Sequence, residues 1–94
     1  MTIDEIVEAV CAYYGLDRRR FLGGARSRTY ALARRIAIVL ARERTVHSGV
    51  EIAERMGCSH YTVIYASREL RRELADARVA RDYAAIRQRL EHAA

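Results

Sequence analysis

The chain has no proline, no lysine and only two cysteines among its 94 residues, and each scarcity closes a class of protein. Without proline nothing breaks a helix from within. With 51% of residues apolar, several helices around one core are the least costly architecture. Without lysine there can be no Walker A loop, whose lysine reaches the nucleotide phosphates. Cys11 and Cys58 cannot staple a disulfide framework, and neither belongs to a C-x-x-C pair. Together with His47 and His60 they match no zinc-ligand spacing, so no metal and no other cofactor is expected. Cys11 falls on an apolar helix face and reads as a small core residue. No apolar run approaches the ~18 residues of a membrane span. The start, Met1 to Ile6, lacks the basic residues and long apolar stretch of a signal peptide. A cytoplasmic chain with no membrane partner is expected. Neither a G-x-S-x-G elbow nor a Ser/His/Asp set stands out, so neither catalysis nor a small-molecule substrate is expected.

What the chain has instead is arginine. All 17 basic residues are arginine, and the formal net charge is +5. The excess is local. Nine arginines between Arg18 and Arg44 oppose the single acid Glu43, a balance of +8. The first 17 residues carry four acids and no base, and from residue 45 onward the charges nearly cancel. Such clustering on one stretch suits a face that meets a polyanion.

Apolar periodicity and helix punctuation divide the chain into about six helices in a single domain spanning residues 1–94. The first covers residues 3–14, with Thr2 or Asp4 as cap, Ile3, Ile6, Val7, Val10 and Tyr14 on one stripe, and Gly15 as stop. Asp17 caps a short helix over Arg18–Leu22 that turns Phe21 and Leu22 inward. Gly23-Gly24 is the loosest point. From Ser27 to about Arg44 runs the helix expected at the centre, since Ile36 to Ala41 is apolar nearly all round. A last helix, Asp76 to about Glu91, uses Val79, Tyr83, Ile86 and Leu90 to cover the core.

The segment Ser48 to Leu70 carries the functional signal. Ser48 can cap a helix whose apolar side is Val50, Ile52, Ala53 and Met56. Gly57 can take the left-handed conformation that ends a helix sharply. Ser59 then caps a second helix, reaching about Ala75, with Val63, Ala66 and Leu70 inward. His60, Tyr61, Ile64, Tyr65 and Arg68 are left for its outer side. Two helices joined in this way have the layout of a helix-turn-helix. A polar, aromatic and cationic outer face suits base edges in the major groove.

On these residues the chain resembles the C-terminal DNA-binding domain of the bacterial replication initiator DnaA. The likeness rests on Ile3–Tyr14 with its Tyr-Tyr-Gly ending, Arg26-Ser27-Arg28, Ala37–Glu43, Thr45-Val-His-Ser48, and Gly57-Cys-Ser-His-Tyr-Thr-Val-Ile-Tyr-Ala66. The resemblance implies that Arg26, at the place of the family's basic-loop arginine, enters the minor groove. It also implies that the run beginning at Ser59 reads the major groove. His60 and Thr62 keep the family's residues there. Ser59 stands for its acid, Tyr61 for its first threonine and Cys58 for the preceding arginine, while Leu32-Ala33 replaces an Arg-Pro pair. Arg34 and Arg42 match basic positions, the latter facing phosphate in the family.

The roles expected from chemistry agree. Arg34, Arg35 and Arg42 present guanidinium forks to phosphates. Arg26 and Arg28 follow Gly23-Gly24 and can reach beyond the helical body into a minor groove. His47 and Ser48 lie where the chain turns into the helix-turn-helix. The N-terminal N–H groups at Ser48 and Ser59 can receive phosphates or base edges. His60, Tyr61, Thr62 and Arg68 fall on the second helix. The resulting expectation is a monomer that binds double-stranded DNA with sequence preference, in replication-initiation control or transcription regulation. The alternative is a helical protein-interaction adaptor that kept the fold and lost base recognition. RNA ranks below both, because a helix suited to a major groove fits A-form RNA poorly.

Overall fold

The computed structural model describes residues 1–93. Its elements are α1 (Ile3–Tyr14), α2 (Arg18–Leu22), α3 (Arg28–Arg44), α4 (Gly49–Met56), α5 (His60–Glu73) and α6 (Ala77–Ala93). The described residues are thus all-helical outside their turns, as expected. The punctuation that sets these elements is side-chain chemistry. Thr2 Oγ1 accepts from the Glu5 N–H while the Glu5 carboxylate accepts from the Thr2 N–H, a reciprocal capping box. Ser48 and Glu51 repeat that box at α4. Asp17, Ser27 and Ser59 cap α2, α3 and α5.

α3 is the axis of the fold and packs against α1, α4 and α5. Ile36, Ala37, Ile38, Val39, Leu40 and Ala41 are all buried, so the continuous apolar run is wrapped on every side. α4 and α5 close together through Ile52, Ala53 and Met56 on one helix and Val63, Ala66 and Leu70 on the other. α6 lies on α1, where Ile86 and Leu90 are buried. The hydroxyls of Tyr13 and Tyr14 donate to the two oxygens of Asp82, at 2.7 and 2.9 Å, and bind α6 to α1 by charge-assisted hydrogen bonds. Burial, followed by that bond, pushes the Tyr14 phenol well above its ordinary range. Cys11 is buried in the core, and burial raises its thiol.

The turn between α4 and α5 is a backbone-to-backbone fit. Gly57 adopts φ +69°, and a side-chain carbon there would lie 1.8 Å from the Leu22 carbonyl oxygen. Only glycine allows both that conformation and that approach.

Beyond single-residue shifts at the starts of α3 and α6, three boundaries or faces differ from the sequence expectation. Val50 is 51% exposed and does not join the apolar side of α4, which Ile52, Ala53 and Met56 supply. α5 ends at Glu73 rather than near Ala75, because the N–H groups of Ala75 and Asp76 bond back three residues to Arg72 and Glu73. α6 runs on to Ala93, with no glycine or proline to stop it at Glu91.

Candidate nucleic-acid interface

With Val63, Ala66 and Leu70 turned inward, the 3.6-residue repeat sends Tyr61, Ile64, Tyr65 and Arg68 to the opposite side of α5. Tyr61 and Ile64 are 69% and 53% exposed, Arg68 is exposed and Tyr65 is half-buried. His60 and Thr62 flank this stripe on its two sides.

Thr62 looks into a cleft of about 380 Å³ that α5 shares with Gly24, Arg26, Arg34, Gly57, Cys58 and Ser59. The Gly23-Gly24 loop therefore brings the exposed Arg26 beside the N-terminus of the second helix. Ser59 Oγ accepts from the Thr62 N–H at 3.2 Å and shares a 3.0 Å hydrogen bond with Thr62 Oγ1. On the other side His60 meets the first turn of α4. A side-chain carbon at Gly49 would lie 3.0 Å from His60 Nε2 and 3.6 Å from an Arg42 guanidinium nitrogen. His60 and Arg42 thus converge over Gly49, a residue with ordinary φ whose lack of a side chain makes room for them. Gly49 is not among the residues expected from the sequence to build the site. A glycine directly after a capping serine was the available signal.

Several expected phosphate contacts point elsewhere. Arg34 is only 8% exposed. Its fork donates to the Phe21 and Ala25 carbonyls at 2.6 and 3.1 Å, and its guanidinium carbon lies 5.2 Å from the Phe21 ring centroid. It closes the end of α2 and the glycine loop onto α3, because carbonyls left there without a helical partner need a donor. Arg35 makes a two-pronged pair with Glu73, Nη2 to Oε2 at 2.7 Å, and ties α3 to α5. Arg28 lines a separate groove with Asp76 and Arg78 and is not brought to the Arg26 cleft. The Ser48 N–H is already bonded to the Glu51 carboxylate, and His47 Nδ1 lies 3.1 Å from the other Glu51 oxygen. These two residues serve the α4 cap. The bond from the Ser48 backbone, then that from His47, holds the Glu51 carboxyl below its ordinary range. The +8 stretch is thereby thinned: Arg18 pairs with Asp4 and Arg44 with Glu91. Arg26, Arg42 and Arg68 remain exposed and, among the described residues, carry no ion pair.

A capped helix, a left-handed glycine turn and a second helix whose outward stripe exposes Tyr61, Ile64 and Arg68 define a helix-turn-helix domain. Comparison with known proteins narrows the class. The family described as bacterial dnaA protein helix-turn-helix matches residues 3–70, and the chain belongs to that family. Similar proteins include the chromosomal replication initiator protein DnaA of Sphingopyxis alaskensis, 44% identical over 92 residues, which are 96% of this chain and 20% of the relative. The protein of the same name from Herpetosiphon aurantiacus is 39% identical over 92 residues, again 96% and 20%. That of Roseiflexus castenholzii is 38% identical over 96 residues, covering all of this chain and 20% of the relative. The chain therefore spans about a fifth of the length of these relatives. Among the described residues no helix is long and apolar enough to cross a membrane.

Proposed function

We propose that this chain binds double-stranded DNA, with α5 in the major groove and Arg26 reaching the adjacent minor groove. The observation that carries the reading is the placement of unpaired cations on both flanks of one outward helix face. Arg26 stands across the cleft on the Thr62 side, and Arg42 stands with His60 on the α4 side. Phosphates border a major groove on both sides, so a recognition helix framed by guanidinium groups matches that arrangement of charge. His60 and Thr62 are the polar candidates for base edges, and Arg68 continues the face toward phosphate. The similarity to chromosomal replication initiator proteins supports a role in replication-initiation control, exercised by one copy of the domain on duplex DNA. The adaptor alternative loses ground here, since a protein-binding surface has no general need for a cation on each flank.

Fluorescence anisotropy on a labelled duplex tests the reading. Affinity should fall steeply as salt rises, with the logarithm of the binding constant linear in the logarithm of salt concentration. Arg26→Ala should cost about 1–3 kcal/mol on sites with an A·T-rich flank and less on G·C-rich flanks. Binding that does not respond to salt would sink the proposal, and an equal loss on both flanks would remove Arg26 from the minor groove.

A further inference from the structure

The middle of the outward face of α5 is largely apolar, an isoleucine beside two tyrosine rings. Ile64 has no polar side-chain atom and is 53% exposed, on a helix whose inward side is fully furnished by other residues. Tyr61 and Tyr65 lie beside it with ring centroids 4.5 Å apart, so the two rings hold each other in place. Single exposed apolar side chains are ordinary. Here two, Tyr61 and Ile64, adjoin on one stripe beside the half-buried Tyr65 ring, with Arg68 one turn further along and His60 and Arg42 beside the first turn. Such a surface fits a partner that is polyanionic overall and offers small apolar points between its charges. In the major groove of duplex DNA the apolar group on a base edge is the thymine C5-methyl.

We propose that Ile64, supported by the Tyr61–Tyr65 pair, reads thymine methyl groups, so that this chain selects thymine at those base pairs by apolar contact. The inference rests on the duplex-binding reading above, and its test separates the two. A randomised duplex pool enriched on the protein supplies a bound sequence. That duplex is then synthesised with each thymine in turn replaced by deoxyuridine, which deletes the methyl and keeps every hydrogen-bonding group. Binding should fall about fourfold at one or two positions, equivalent to ~0.8 kcal/mol for a methyl-sized group at ~1.4 kcal/mol per tenfold. Ile64→Ala keeps a good helix former at a half-exposed position and should retain the fold, checked by melting temperature. This variant should bind the thymine duplex about fourfold more weakly and be indifferent to uracil at the same position. If the wild type binds every uracil duplex as well as the thymine duplex, the methyl reading is overturned while duplex binding stands. It is overturned too if the losses from uracil and from Ile64→Ala simply add, since Ile64 then touches no methyl. Should Ile64→Ala instead dissolve a dimer seen by sedimentation and leave the thymine-to-uracil ratio unchanged, the face joins copies of the chain. If no duplex is retained at any salt concentration, both readings fall together.

Discussion

Arg34 and Arg42 lie on the same helix with the same side chain, yet the fold gives them different work. Arg34 donates to the Phe21 and Ala25 carbonyls and stacks on the Phe21 ring, whereas Arg42 is exposed beside His60. Arg34→Ala should therefore lower the unfolding free energy by about 3 kcal/mol, because it strands two acceptors that a charged donor satisfied. Arg42→Ala should leave stability within ~0.5 kcal/mol and weaken binding to all duplexes alike, lowering the salt slope by about one. Urea unfolding and anisotropy on both variants would check this, and an exchange of the two outcomes would refute the assignment. The sequence displayed both residues in one basic stretch. It could not tell them apart, because the carbonyls that capture Arg34 arrive through the Gly23-Gly24 loop, and that placement exists only in three dimensions. Glu51 was equally illegible as a hub, although the Ser-x-x-Glu spacing of its capping box was in view. Its carboxyl is held below the ordinary range by Ser48 and His47, so the charged form is the one the fold favours. The stability this contributes is fully present above the unfolded carboxylate value of ~4.3 and is lost as pH falls through the lower folded value. Melting temperature followed into acid should decline more steeply for the wild type than for Glu51→Gln. Parallel curves would show that the bonds to Glu51 do not matter.

At the scale of elements, the sequence read well wherever one side chain or one glycine decides the outcome. Caps at Asp17, Ser48 and Ser59, Thr2 of the two candidates for α1, and the glycine stops at 15 and 57 are local chemistry and fell where expected, whereas Ser27, expected as the first residue of α3, is its cap. What the local signals could not supply was the difference between those two glycines. Both have φ near +67°, within a degree or two, but Gly15 faces open space and Gly57 presses on the Leu22 carbonyl. Gly15→Ala should cost only the left-handed strain, about 1–2 kcal/mol. Gly57→Ala adds a collision between two backbones and should cost more than ~3 kcal/mol, displacing α5 from its place. Denaturant midpoints of the two variants would rank them, and equal losses would mean that the turn relaxes freely. The attachment of α6 was likewise half legible: its apolar stripe was apparent, but Asp82 was an unremarked acid. Two tyrosine hydroxyls converge on it, and Asp82→Ala should cost about 2 kcal/mol and speed amide exchange along α6. Unchanged exchange there would show that Ile86 and Leu90 hold the helix without it.

For the whole molecule, the fold places its chemistry on one side. The acidic α1 lies against α3 and carries α6 on it. The glycine loop, the first turn of α4 and the outward stripe of α5 gather around the N-terminus of the second helix. Composition anticipated a polyanion-binding face but overstated it, since internal ion pairs and one buried fork absorb part of the arginine excess. The proposed function requires the remaining surface to receive duplex DNA. Amide chemical-shift mapping during titration with a short duplex tests it most directly. The predicted result is that the largest changes cluster at residues 24–28, at Arg42, at 47–50 and at 58–65, with α1 and the outer side of α6 quiet. Largest changes on the α1–α6 face, with the Arg26 cleft and the first turn of α5 unmoved, would contradict it.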